Sequence, residues 1–123
     1  EAVNPAELKN RTKHFALRIL KLVGSLPKTI EGRAIARQVV RCGTSVAANY
    51  RAACRARSRA EFVAKIGVVQ EEADETSFWL ELICDAKLLP AKRVEPLLVE
   101  ANELVAVMVT SRKSAASNLK STI

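Results

Sequence analysis

Apolar residues recur along the chain with the period of an amphipathic helix, in four successive stretches. From Leu8 to Leu26 they alternate at steps of four and three residues, and this spacing returns in the next three stretches. Such steps place side chains on one face of a helix, as a seam that packs against neighbouring helices. The predicted seams are Leu8, Thr12, Phe15, Ile19, Leu22 and Leu26; Ile35, Val39, Cys42, Val46, Asn49 and Ala53; Phe62, Ile66, Val69, Ala73, Thr76, Leu80 and Ile83; and Val94, Leu97, Ala101, Leu104, Met108 and Ser111.

Residues that start and stop helices set the expected boundaries. Asn4 is suited to cap the first helix, with Pro5 at its first position. Ser58 and Glu61 have the spacing of a capping box for the third, and Pro90 ends it. The expected helices span about residues 5–24, 30–56, 58–89 and 91–114. The Ser-rich tail is expected to fray. Short connections favour an all-α, antiparallel up-down-up-down four-helix bundle.

Composition agrees with this fold class and limits the environment. A chain of 123 residues is one domain by length, and 4% aromatic residues with four glycines leave little material for a β fold. No apolar run is long enough to span a membrane, and the first residues have no apolar signal-peptide region. The three cysteines have no CxxC spacing. We therefore expect a cytoplasmic protein that is not membrane-bound, with reduced thiols.

The net charge of +7 is unevenly distributed along the chain. The first 60 residues hold 13 Lys or Arg against three acids, and the remainder holds 7 against 10. Arginines of the second helix fall within an arc of about 80°, opposite the apolar seam. No acid occurs from Gly32 to Ala60. This predicted arginine stripe consists of Arg33, Arg37, Arg41, Arg51, Arg55 and, if the helix continues past Ser58, Arg59.

The arginine stripe is open to three interpretations. Arginine suits bidentate phosphate contacts, and a row of this length could follow the backbone of RNA or another nucleic acid. The stripe could instead form ion pairs with a neighbouring subunit in a protein-interaction scaffold. The third interpretation is a solvated face of the monomer.

Two further surfaces suggest self-association. The apolar arc of the second helix is wider than one seam requires, and a second subunit or tight packing within the monomer would explain this width. On the third helix, two aromatic residues fall off the seam on an acidic face, as interface anchors or as cover for the chain's own loops. The predicted oligomer interface comprises Ala36, Val40, Gly43, Ala47, Tyr50, Phe78 and Trp79, with Cys54 on the same flank.

Asn49 interrupts the apolar seam of the second helix, so we expect a structural polar residue that fixes register or oligomeric state. The motifs of enzymes and metal sites are missing from the sequence. Its only histidine, His14, lacks the Glu-x-x-His pairing of di-metal bundles, and no phosphate-cradling glycine motif occurs. We expect no enzyme activity, no metal and no cofactor.

Several short motifs give the chain a family resemblance over roughly residues 10–115. These motifs are Ser45-Val46-Ala47-Ala48-Asn49, Arg57-Ser58, Glu61-Phe62, Glu75-Thr76 and Leu80. With them the chain resembles the bacterial four-helix-bundle proteins encoded in intervening sequences of 23S ribosomal RNA genes. Ala52 and Ala53 depart from this pattern, where Glu and Gly are common, as do Tyr50 and Arg51 in place of an apolar-small pair.

The resemblance implies a bundle that assembles as a ring-shaped homopentamer. The family is similar to the accessory protein of diversity-generating retroelements, a basic pentameric bundle that works with a reverse transcriptase and RNA. A reverse transcriptase is therefore a further expected partner. The resemblance implies no catalytic activity.

Overall fold

A computed structural model describes residues 4–121, which form the expected all-α, antiparallel up-down-up-down four-helix bundle. Consecutive helices pack against each other, and the first and fourth helices close the bundle through a smaller contact. The helices are α1 (Pro5–Val23), α2 (Ile30–Cys54), α3 (Arg59–Asp85) and α4 (Ala91–Ser121).

The predicted seams form one continuous core. Phe15, Ile19, Ile66 and Leu104 are almost completely inaccessible to solvent. The polar member of the α1 seam, Thr12, is also buried, and its hydroxyl donates to the Leu8 carbonyl oxygen at 2.9 Å. Because its hydroxyl has an acceptor within the same helix, burial leaves no unsatisfied donor there.

The seam of α2 differs from the prediction in one place. Tyr50, expected on an outer flank, is buried with 2% exposure, whereas Asn49 is only half-buried. The Asn49 carboxamide donates to the Ser45 carbonyl oxygen at 2.9 Å, one turn earlier in the same helix. The buried residues here are therefore Val46, Tyr50 and Ala53. Tyr50 lies two turns after Gly43, on the side of α2 that packs against Ile19 of α1.

The ends of α2 and α3 also differ from the expected boundaries. α2 ends at Cys54, and Ser58 caps α3 by accepting from the Glu61 amide at 3.1 Å. α3 stops at Asp85 instead of reaching residue 89. Lys87 has φ of 56°, and the Leu88 amide donates back to the Ile83 carbonyl oxygen at 3.0 Å. A left-handed residue closing a helix is usually glycine, so a lysine in that role gives no signal in the sequence.

α4 is longer than expected and is helical through Ser121 instead of ending near residue 114. The segment after Ser114 contains neither Gly nor Pro, and Ala115 is buried. A buried anchor in a segment without helix breakers allows the helix to continue. The last two residues of the expected frayed tail, 122 and 123, lie outside the described residues.

Candidate nucleic-acid interface

Four of the six predicted stripe arginines lie on the outer face of α2. Arg33, Arg37 and Arg51 lie within α2, Arg55 is its C-cap residue, and all four are exposed. They form two pairs, each with a four-residue spacing of about 6 Å along the helix axis. Thr44 and Ala48 lie between the pairs on the same face. We call these four residues the α2 basic face.

Arg59 does not belong to the α2 basic face, because the chain leaves α2 at Cys54 and Arg59 opens α3. The capping interactions at this junction explain the break. The Ser58 side chain accepts from the Glu61 amide, and the Glu61 carboxylate accepts from the Arg57 amide at 3.0 Å. The Ser58 half of the predicted capping box is therefore present, whereas Glu61 bonds the amide one residue before the N-cap instead of the Ser58 amide itself.

Arg41 does not belong to the α2 basic face either. Its guanidinium forms ion pairs with Glu75 and, at 3.4 Å, with Glu72, both on α3. Glu75 also accepts from the indole nitrogen of Trp79 at 3.0 Å. Arg41 therefore links α2 to α3, a partnership that the absence of acids from Gly32 to Ala60 did not reveal.

A groove between the start of α1 and the end of α2 adds two lysines to the basic surface. Its volume is about 670 Å³. Lys9 and Lys13 line it from α1, and Arg51 and Arg55 line it from α2. We call it the α1–α2 groove; its other lining residues are Ala6, Asn10, Thr44, Ala47 and Ala48.

Sequence reasoning missed Lys9 and Lys13 because it considered α2 alone. Their i,i+4 spacing places them on one face of α1, which was a usable signal. Only packing shows that this face adjoins the end of α2. The third cation of this segment, Arg11, turns instead to α4, where it pairs with Glu100 at 2.7 Å and Glu103 at 2.8 Å.

Two members of the predicted oligomer interface on α2 are core residues of the monomer, and the interface role of the others stays a prediction. Gly43 and Tyr50 are buried, and Ala36, Val40 and Ala47 are half-buried. A Cβ atom built at Gly43 would lie 2.8 Å from Cγ1 of Ile19 on α1. The wide apolar arc of α2 thus reflects close contact with α1, and Gly43 and Tyr50 are corrected to core positions.

The two aromatic residues predicted as interface anchors have different environments. Trp79 packs against the core and donates to Glu75. Phe78 is 54% exposed, with its ring 5.0 Å from that of Trp79 in an edge-on arrangement. Phe78 therefore remains available to a partner, whereas Trp79 is largely engaged within the chain. Around Phe78 lie four exposed carboxylates, which with it form the α3 acidic face: Glu71, Asp74, Glu81 and Asp85.

The sequence and the fold both match known proteins of one family. Residues 6–110 match the model of the 23S rRNA-intervening sequence protein family. The chain belongs to this family. A crystal structure from Bacteroides thetaiotaomicron, described as a protein with unknown function from the S23 ribosomal protein family, is similar to it with a TM-score of 0.81 and 31% sequence identity. The similarity covers 86% of this chain and 98% of that one. No curated protein matches the chain.

Family membership confirms the resemblance seen in the sequence. The matched range contains the α2 basic face and the α1–α2 groove, so both belong to the shared domain. The relation to the retroelement accessory protein, the pentameric ring and the cytoplasmic location stay predictions.

Among the described residues of this family member, the groups relevant to reactive chemistry are potential metal ligands and nucleophilic side chains. No group of three or more His, Cys, Asp or Glu in this part of the chain could hold a metal ion. Burial raises the pKa of the Cys42 thiol, and burial also raises the pKa of the Tyr50 phenol, with a further contribution from its hydrogen bond to Cys54. Both groups are therefore neutral near pH 7. Within residues 4–121, no helix combines the length and apolar character needed to cross a bilayer.

Proposed function

We propose that this protein is a non-enzymatic, homo-oligomeric bundle that binds RNA or another nucleic acid through the α2 basic face. One observation carries the proposal: Arg33, Arg37, Arg51 and Arg55 are exposed cations that no carboxylate in residues 4–117 neutralises. Ion pairs within these residues engage Arg11, Arg41 and Arg57 instead.

The geometry of the α2 basic face suits a polyanion. Arg33 and Arg55 are 22 positions apart, which corresponds to about 33 Å along a helix. The planar guanidinium presents several donors to phosphate oxygens and keeps its charge at any physiological pH. Contacts of this kind bind the backbone and carry no sequence information, so we expect broad sequence tolerance.

RNA is the first nucleic acid to test. The family's name refers to an intervening sequence of 23S rRNA, which supports RNA over DNA as a starting ligand. It does not specify an RNA sequence, and the similar protein from Bacteroides thetaiotaomicron is itself described as having unknown function.

The test is the double charge reversal Arg37→Glu/Arg55→Glu, measured by fluorescence anisotropy with labelled RNA at several salt concentrations. Losing two charge-assisted phosphate contacts should weaken binding by about tenfold or more. The dependence of log affinity on log salt should also become shallower. The matched control, Lys92→Glu/Lys113→Glu, changes the net charge equally at exposed positions of α4. Equal affinity and salt dependence in the arginine variant and the wild type would contradict the proposal.

The alternative is a protein-interaction scaffold in which the α2 basic face of one copy pairs with the α3 acidic face of the next. The exposure of Phe78 within the α3 acidic face favours this alternative, as does that of Leu17 (56%) and Leu20 (48%) on α1. Complementary faces on one chain favour head-to-tail contacts, which close into rings. A reverse transcriptase, the partner that the resemblance implies, would be a second protein for such a surface.

Light scattering with the same arginine variant separates the two functions. Under the scaffold alternative, Arg37→Glu/Arg55→Glu should dissociate the oligomer. Mixing it with Glu71→Arg/Asp74→Arg should restore association through the exchanged charges. Under the proposed function, the variant should keep its mass and lose affinity for RNA, together with any nucleic acid that copurifies with the wild type.

A further inference from the structure

We infer that the α1–α2 groove is the place where the nucleic acid binds, and that it takes the backbone of a single strand in preference to a duplex. This inference rests on the proposed function and adds to it a location, two α1 residues and a strand preference.

The positive charges of the α1–α2 groove form two rows, one on each side. Lys9 and Lys13 are one turn apart on α1. On the other side of the groove, Arg51 lies in the last turn of α2 and Arg55, four residues later, is the C-cap residue of that helix. Within each row, the two residues are about 6 Å apart along the helix axis. A phosphate chain lying in the groove therefore has cations on both sides, which a row of arginines on one helix does not provide.

The described residues that line the α1–α2 groove carry no negative charge. None of the described side chains that line it is a carboxylate. Arg11 is held on the other side of α1 by Glu100 and Glu103, so the acids of α4 pair away from the groove. Low-dielectric walls lined by one sign of charge concentrate the electrostatic potential toward a bound anion.

The floor of the groove suits sugars and bases. Ala6, Ala47 and Ala48 give it a small, apolar surface. The Thr44 hydroxyl donates to the Val40 carbonyl oxygen at 2.6 Å, so its free lone pair is an acceptor for a ribose hydroxyl or a base amino group. Asn10 adds both a donor and an acceptor. Because no aromatic side chain lines the groove, base stacking on protein rings should contribute little there.

The width of the groove selects against a duplex. Packed helices lie about 8–10 Å apart between their axes, which limits the space between two neighbouring helices. The major groove of B-DNA alone is about 12 Å wide, and an A-form RNA duplex likewise carries two backbones wound around each other, so a whole double helix of either kind is too broad to enter. A single strand can place its phosphates between the two rows of positive charge, whereas a duplex can contact only the outer ends of these side chains.

A second basic groove provides an internal comparison. Arg18 and Lys21 of α1 face the α4 side, where they line a smaller space of about 250 Å³ together with Arg93. Arg93 donates to the Ser25 hydroxyl, so part of its donor capacity is already used. Arg18 and Lys21 carry the same charge as Lys9 and Lys13 on the same helix, and therefore control for net charge.

The experiment measures the affinity of labelled oligouridine and of an RNA duplex of equal length at several salt concentrations. The variants are Lys9→Gln/Lys13→Gln and, as the matched control, Arg18→Gln/Lys21→Gln. We expect the wild type to prefer the single strand by about tenfold or more. The Lys9/Lys13 variant should lose about tenfold, and its salt slope should fall by roughly 1.4 for two lost single-strand contacts. The control should change affinity by less than about twofold.

The possible failures are distinguishable. Suppose that the Arg37→Glu/Arg55→Glu reversal weakens RNA binding but the Lys9→Gln/Lys13→Gln substitutions do not. The inference that RNA binds in the α1–α2 groove is then wrong, and the proposed function stands. The inference is also wrong if the protein binds duplex and single strand with equal affinity. It is wrong, too, if uridine monophosphate competes as effectively as the single strand does. If the wild type binds neither RNA nor DNA even at low salt, the proposed function itself fails. Lys9 and Lys13 are exposed, so unchanged circular dichroism should show that their variant remains folded.

Discussion

Gly43 lies at the close contact between α1 and α2, where a side chain would collide with Ile19. The two nearest atoms to a Cβ built there are Cγ1 and Cγ2 of Ile19, at 2.8 and 3.0 Å. Ile19 is completely buried and has no free volume into which to move. Gly67 offers a natural comparison, because a Cβ there would meet only the Cδ atom of Arg112, at 3.8 Å.

Gly67→Ala and Gly43→Ala should therefore have different effects on stability. Both replace glycine within a helix, which by propensity alone stabilises by up to about 1 kcal/mol. At Gly67 we expect most of this gain. At Gly43, overpacking lowers the free energy of unfolding by about 1–3 kcal/mol, which cancels the gain from helix propensity. Urea unfolding measures the difference, and a Gly43→Ala protein as stable as Gly67→Ala would show that the α1–α2 contact is looser than described.

At the scale of the helix, the junction between α2 and α3 decides which arginines share a face. A helix continuing through Ser58 would have carried Arg59 onto the α2 basic face. The cap at Ser58 stops it, because Ser58 and Glu61 satisfy backbone donors at the start of α3. The sequence pattern identified this cap correctly. It did not identify the end of α3 at Lys87, where a non-glycine residue adopts the left-handed conformation.

Removing the Ser58 cap should lower the stability of the bundle. Ser58→Ala leaves the Glu61 amide without its acceptor and should cost about 1 kcal/mol in the free energy of unfolding. Ser58→Asp is the control, because aspartate caps helices as well as serine does and should restore stability. Thermal unfolding followed by circular dichroism measures both, and an unchanged Ser58→Ala protein would contradict the role of the cap.

At the scale of the whole molecule, the four helices share one core and are linked by ion pairs between the two halves of the sequence. The excess of positive charge in the first 60 residues is partly balanced on folding, because Arg11 pairs with α4 and Arg41 with α3. The four arginines of the α2 basic face stay exposed, and Lys9 and Lys13 of α1 lie exposed beside two of them, Arg51 and Arg55. The fold thus concentrates uncompensated charge on the surface that includes the α1–α2 groove.

A shared core predicts that the bundle unfolds as one unit. Trp79 is the only tryptophan, and it is partly buried and bonded to Glu75 near the α2–α3 contact. Its fluorescence and the far-ultraviolet circular dichroism should therefore change with the same midpoint in urea. If the protein is the proposed homo-oligomer, that midpoint should rise with protein concentration. Fluorescence changing well before helix content would show that the α2–α3 contact opens separately.

The sequence by itself determined the helices, their core seams and the family, because periodic apolar residues, caps and short motifs are local signals. Tertiary structure decided which neighbour each helix face meets. In the folded protein, Tyr50 and Gly43 are buried on the side of α2 that faces α1. Arg41 forms ion pairs with α3. Lys9 and Lys13 lie beside Arg51 and Arg55. A helical wheel gives the direction of a side chain around its own axis, but the charge or contact opposite it depends on another helix. The basic surface could therefore be expected from the sequence, whereas its groove required the packing of α1 against α2.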